Sequence, residues 1–75
     1  MKEQRVDKIV IKSVSNKIKC LREERGISQD TFFIDTDIHI ARIEAGKSNI
    51  TISTLSDICR YLDISLADFF ADIVQ

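Results

Sequence analysis

"ISQDTFFIDTDIHIARIEAGK", residues 27–47, is the stretch whose reading decides the fold. Ser28 is a good helix N-cap, and Gly46 is the residue type that most often ends a helix in the left-handed conformation. Between them lie two apolar-periodic segments, one around Phe32 and one around Ile40 and Ile43. Neither is long enough to be a stable helix in water by itself. They can exist only if longer helices hold them.

Those helices are legible on both sides. Ile27–Ser28–Phe32, Ile50–Thr51–Leu55 and Ile64–Ser65–Phe69 repeat one local arrangement. A hydroxyl caps the helix start, and an apolar residue before it staples onto the fourth helical position. Asp68 completes a capping-box variant in the third case. Upstream, Val6, Val10, Val14, Ile18 and Leu21 recur at helical spacing toward Gly26. Residues 9–11 could instead alternate as a short strand, but helix is preferred, with room for a break around Ser13–Ser15. Ile52, Leu55, Ile58, Cys59 and Leu62 line a fourth helix, and Leu66, Phe69, Phe70, Ile73 and Val74 a fifth. The expected helices are about 13–25, 29–35, 38–45, 52–62 and 66–73. Two short helices joined by a tight turn and clamped by longer ones make a helix-turn-helix in an all-α, five-helix bundle. Residues 1–12 are read as an N-terminal extension, possible as a helix continuation, and 13–75 as the domain.

The 75 residues include no proline and two glycines, Gly26 and Gly46, too few turn formers for a small sheet domain. The apolar fraction is 44%, which suffices for one modest core. The net charge of −1 hides an asymmetry. Eight Lys/Arg face four acids in residues 1–25, whereas three face eight in the remainder. This is weak evidence for an anionic partner, since such charge is often a solvated helix face. No apolar run reaches a membrane span of about 18 residues. The N-terminus lacks a signal peptide's apolar centre, so a cytoplasmic protein is expected. Cys20 and Cys59 have no ligand-spaced neighbours and are read as buried thiols. No metal, cofactor or small-molecule site is expected, and a lone histidine without a nucleophile nearby argues against an enzyme.

"IKCLREERGISQ", "ARIEAGKSN" and "TISTLSDICRYLDISLADFF", in that order, resemble the phage-repressor-like (XRE, Cro/C1 type) helix-turn-helix proteins from about Val14 to Phe70. The resemblance implies a lambda-repressor-like domain whose third helix enters the major groove of double-stranded DNA, usually as a homodimer on a two-fold site. It implies a structural ion pair between Arg22 and Glu44. It places Ser28 and Gln29, at the start of the second helix, and Lys47, Ser48 and Asn49, after the glycine cap, against DNA phosphates. A helix N-terminus suits an anion on physical grounds as well. Arg42, with His39 three residues before it, falls at base-reading positions. Gln29 carries no evident folding duty, while Ser28 caps its helix with or without DNA.

One departure bears on function. The usual interval from the Ser-Gln pair to the Ile-Glu pair is longer by about three residues, roughly one helical turn. Either Thr36 caps a full-length third helix and Ile38 points outward, or Ile38 is a buried turn residue and the helix starts near His39. The second is preferred, with Ile38 stapled onto Ile43 and Asp35–Thr36–Asp37 forming a polar turn, although histidine is a poor cap. Base readout then rests on few side chains. One bidentate arginine–guanine contact supplies about 1–3 kcal/mol, against about 4–10 kcal/mol for typical specific binding. Dimerisation through "FFADIVQ" or "VDKIVIK" would supply more. A small dimeric repressor is the leading expectation. The alternative is a protein-interaction or antitoxin-like module on the same fold.

Overall fold

The computed structural model describes residues 7–71 and 73. Among these, five helices occur and no strand: α1 (Lys8–Glu24), α2 (Gln29–Thr36), α3 (Ile40–Glu44), α4 (Ile52–Tyr61) and α5 (Leu66–Ala71). Three starts use the expected hydroxyl caps. Ser28 accepts from the Thr31 amide at 3.1 Å, Thr51 from Thr54 at 3.0 Å and Ser65 from Asp68 at 3.0 Å. Ile27, Ile50 and Ile64 are half-buried beside the core, and their partners Phe32, Leu55 and Phe69 are fully enclosed. α1 begins at Lys8, capped by Asp7, and runs unbroken through Ser13–Ser15 because Val14 and Ser15 are buried together on its inner face.

Three helices leave through the same hydrogen-bond pattern. After α1, the amides of Gly26 and Ile27 donate to Glu23 and Arg22; after α3, those of Gly46 and Lys47 donate to Ile43 and Arg42. After α4, Asp63 and Ile64 donate to Arg60 and Cys59. This is the Schellman closure, which needs a left-handed residue just past the helix. Gly26, Gly46 and Asp63 have φ of 67°, 73° and 59°. Asp37, at φ 61°, ends α2 in the same conformation. Glycine accepts it freely, and aspartate is among the few other residues that tolerate it.

The core joins Val14, Ile18 and Leu21 of α1 to Phe32, Ile40, Ile43, Leu55, Ile58, Cys59, Leu62 and Phe69. Phe32 meets Tyr61 edge-on at 4.7 Å, and the Tyr61 hydroxyl donates to Asp35. That bond holds the Tyr61 phenol above its usual pKa. The Arg25 guanidinium crosses to the Leu62 carbonyl at 2.7 Å, tying the end of α1 to the end of α4. Several sequence expectations are corrected. Cys20 is exposed, because it lies off the Val14–Ile18–Leu21 face; Cys59 is buried, and burial pushes its thiol pKa up. Ile52, in the first turn of α4, projects past the core and is 69% exposed. Phe70 is mostly outside the core, edge-on to Phe69. α5 ends at Ala71, and Val6 and Val74 lie outside the described residues.

A Cβ at Gly46 would meet nothing within 4 Å, so only its backbone angle opposes substitution. Gly46→Ala should therefore lower stability by about 1 kcal/mol. Gly46→Asn should lower it less. Urea denaturation of the two variants measures the difference.

Candidate nucleic-acid interface

The link from α2 to α3 is three residues long. α2 continues through Thr36, so Asp35 and Thr36 are helical and do not form the polar turn expected of them. The Asp35 carboxylate accepts from the Tyr61 hydroxyl, and the Thr36 hydroxyl donates back to the Phe32 carbonyl at 2.7 Å. Asp37 makes the left-handed turn, and the Ile38 amide donates to the Thr36 hydroxyl at 3.1 Å. Ile38 is half-buried against the core. His39 then sits at φ −76°, ψ 75°, with the Ile40 amide donating to the Ile38 carbonyl at 2.8 Å. These are the angles of an inverse γ-turn. His39 holds the N-cap position without a side-chain capping bond, and α3 has five residues.

So short a helix depends on its neighbours. Arg22 reaches from α1 to Glu44 through two bonds, Nε to Oε2 at 2.6 Å and Nη2 to Oε1 at 2.9 Å. Its Nη1 donates to the Ile27 carbonyl at 2.8 Å. The two side chains are 9% and 4% exposed, so the pair is largely shielded from water. Gln29 also donates to Glu44, Nε2 to Oε1 at 3.0 Å. Gln29 therefore does have a folding role, contrary to its sequence reading. Burial alone would raise the Glu44 pKa, but the bonds from Arg22 and Gln29 outweigh it and hold the carboxyl below its ordinary range. The same pair raises the Arg22 pKa.

The surface above this network carries most of the candidate contact residues. His39 and Arg42 lie between two shallow depressions. One, about 200 Å³, is lined by Gln29, Asp30, Phe33, His39, Ala41 and Arg42. The other, about 340 Å³, brings Asp37, His39 and Arg42 together with Ser48, Asn49 and Thr54. Lys47 is exposed just past the α3 cap but lines neither depression. The Ser28 hydroxyl accepts from the Thr31 amide and donates to the Thr31 hydroxyl at 3.0 Å, so capping occupies it. The amides of Gln29 and Asp30 open α2 and have no helical carbonyl one turn back. Asp30 and Asp37 each line one of the two depressions, whereas Asp35 is engaged by Tyr61. Sequence reasoning passed over Phe33, whose ring packs on His39 with centroids 4.8 Å apart. Its signal was an unexplained second phenylalanine directly after a core one. Among the described residues, no group of His, Cys, Asp and Glu could hold a metal ion, and no helix is long and apolar enough to cross a membrane.

A family model described as the Cro/C1-type HTH DNA-binding domain matches residues 17–75. The control protein C.MunI of a Mycoplasma species is 37% identical over a 62-position alignment that covers 77% of this chain and 84% of that protein. The crystal structure of an HTH_3 family transcriptional regulator from Vibrio cholerae aligns with 91% of this chain at a TM-score of 0.78 and 35% identity. The chain spans 40% of the length of that regulator.

The lowered Glu44 pKa has a defined pH signature. Its contribution to stability is complete above the ordinary glutamate range, about pH 4–5, and is lost as the pH falls through the lowered folded value. Glu44→Gln should be less stable than wild type at neutral pH, and that gap should shrink steadily on acidification below about pH 4. Urea midpoints of both proteins across the acid range read this out.

Proposed function

Because the chain belongs to the Cro/C1-type helix-turn-helix DNA-binding family, we propose that it is a small dimeric transcription repressor that reads a two-fold operator with a shortened recognition helix. The observation that carries this reading is the position of Arg42 and His39. They stand on the exposed side of α3, flanked by the α2 N-terminus on one side and by Ser48 and Asn49 on the other. Arg42 would grip guanine by two hydrogen bonds, with His39 beside it. Lys47, Ser48, Asn49 and the opening of α2 would meet the phosphates and set the register. Dimerisation is supported by an apolar depression of about 170 Å³ between α1, α4 and α5, with Val10, Ile11, Ile52 and Phe70 along it. Two copies double the base contacts, which one five-residue helix needs. No catalytic activity, cofactor or membrane belongs to this reading, and its place is the cytoplasm.

Asp37 favours the second reading, a protein-interaction or antitoxin-like module, because its carboxylate shares a depression with Arg42. A salt titration on the DNA upstream of the protein's own gene separates the two. Repressor function predicts affinity that falls steeply with salt. Lys47→Ala should weaken binding to all sequences and lower the salt slope by about 1, whereas Arg42→Ala should relax preference at one base pair by about 1–3 kcal/mol. Absence of binding at low salt would select the interaction module.

A further inference from the structure

Phe33 is 38% exposed although it follows a fully buried phenylalanine. Its ring tilts 34° over His39, the residue at the N-cap of α3. With Gln29, Ala41 and Arg42 it lines the depression on the α2 side of the interface. Nothing in the core calls for an aromatic there, since Phe32 already fills the inner face of α2.

We propose that Phe33 is a specificity-determining residue of this interface, presenting its ring to the C5-methyl group of a thymine in the major groove. The inference rests on the DNA-binding reading above and adds a second helix to the readout. Three facts favour a thymine. A phenyl ring neither donates nor accepts a conventional hydrogen bond, and thymine is the base that offers a methyl group in that groove. Asp30 lines the same depression, and its negative charge disfavours a phosphate over Phe33 itself, leaving that ring to base edges. Arg42 borders it too, so the thymine lies beside the guanine that Arg42 grips. The contact also makes functional sense of the short α3: a side chain from α2 stands at its N-terminus, where base readers of such helices concentrate.

The test replaces each thymine of the bound operator with deoxyuridine, which removes the methyl and keeps the base pair. With wild-type protein, one position per half-site should lose about fourfold in affinity. Phe33→Ala should bind thymine and deoxyuridine duplexes equally, while its affinity still falls with salt. Phe33→Leu keeps an apolar contact and should retain part of the difference; circular dichroism of both variants checks the fold. If the wild type discriminates operator from random DNA but no thymine replacement changes affinity by more than about twofold, Phe33 is not a reader and DNA recognition stands. If wild type shows no preference for any duplex, the DNA-reading function fails and this inference falls with it.

Discussion

Glu44 gathers three separate parts of the chain onto one carboxylate. Arg22 comes from α1, Gln29 from the start of α2, and Glu44 itself is the last residue of α3. Arg22 also closes the α1–α2 junction from both directions: its carbonyl accepts from the Ile27 amide, and its guanidinium donates to the Ile27 carbonyl. A five-residue helix has one or two internal hydrogen bonds and no independent stability. Apolar contacts through Ile40 and Ile43 bury α3, but they are not directional. The charged network is directional. Losing one partner would leave the other shielded and unpaired, which costs about 3–5 kcal/mol in comparable buried pairs. A domain of this size has a total stability of about 4–11 kcal/mol.

The same network explains how acidic residues coexist with the candidate nucleic-acid interface. Glu44 is turned inward and neutralised by Arg22, while Asp35 is committed to Tyr61. Asp37 holds a backbone conformation that few residues other than glycine accept. What remains on the exposed side of α3 is Arg42, with His39 at its head. Internal pairing thus engages Glu44 and Asp35, two of the four acidic residues between Ile27 and Lys47. Asp30 and Asp37 still border the surface.

The fold was legible where its determinants are local. The starts of α2, α4 and α5 are each written in six consecutive residues, and Gly26 and Gly46 mark two of the helix ends outright. Asp63 carries the same closure without a glycine to announce it. Missed features depend on residues far apart in the chain. The Asp35 carboxylate is engaged by Tyr61, 26 residues later. Gln29 is a folding residue because Glu44 lies within reach, 15 residues on. Ile52 and Cys20 were misplaced because periodicity gives the direction of a face and not where the packed core stops. In the candidate interface, His39 and Arg42 were nominated by their spacing and the family resemblance, and the structure sets both on one exposed surface. Phe33 was not, because its role depends on how a shortened α3 meets α2.

The central claim is that the Arg22–Glu44 pair holds α3, and with it the surface that carries Arg42. A double-mutant cycle of Arg22→Ala and Glu44→Ala, measured by urea denaturation at neutral pH, tests it most directly. The predicted outcome is strong non-additivity: after either substitution the second costs markedly less than it does alone, with a coupling of about 1.5–3 kcal/mol. Additive losses within about 0.5 kcal/mol would contradict the account, because each residue would then stabilise the fold without the other.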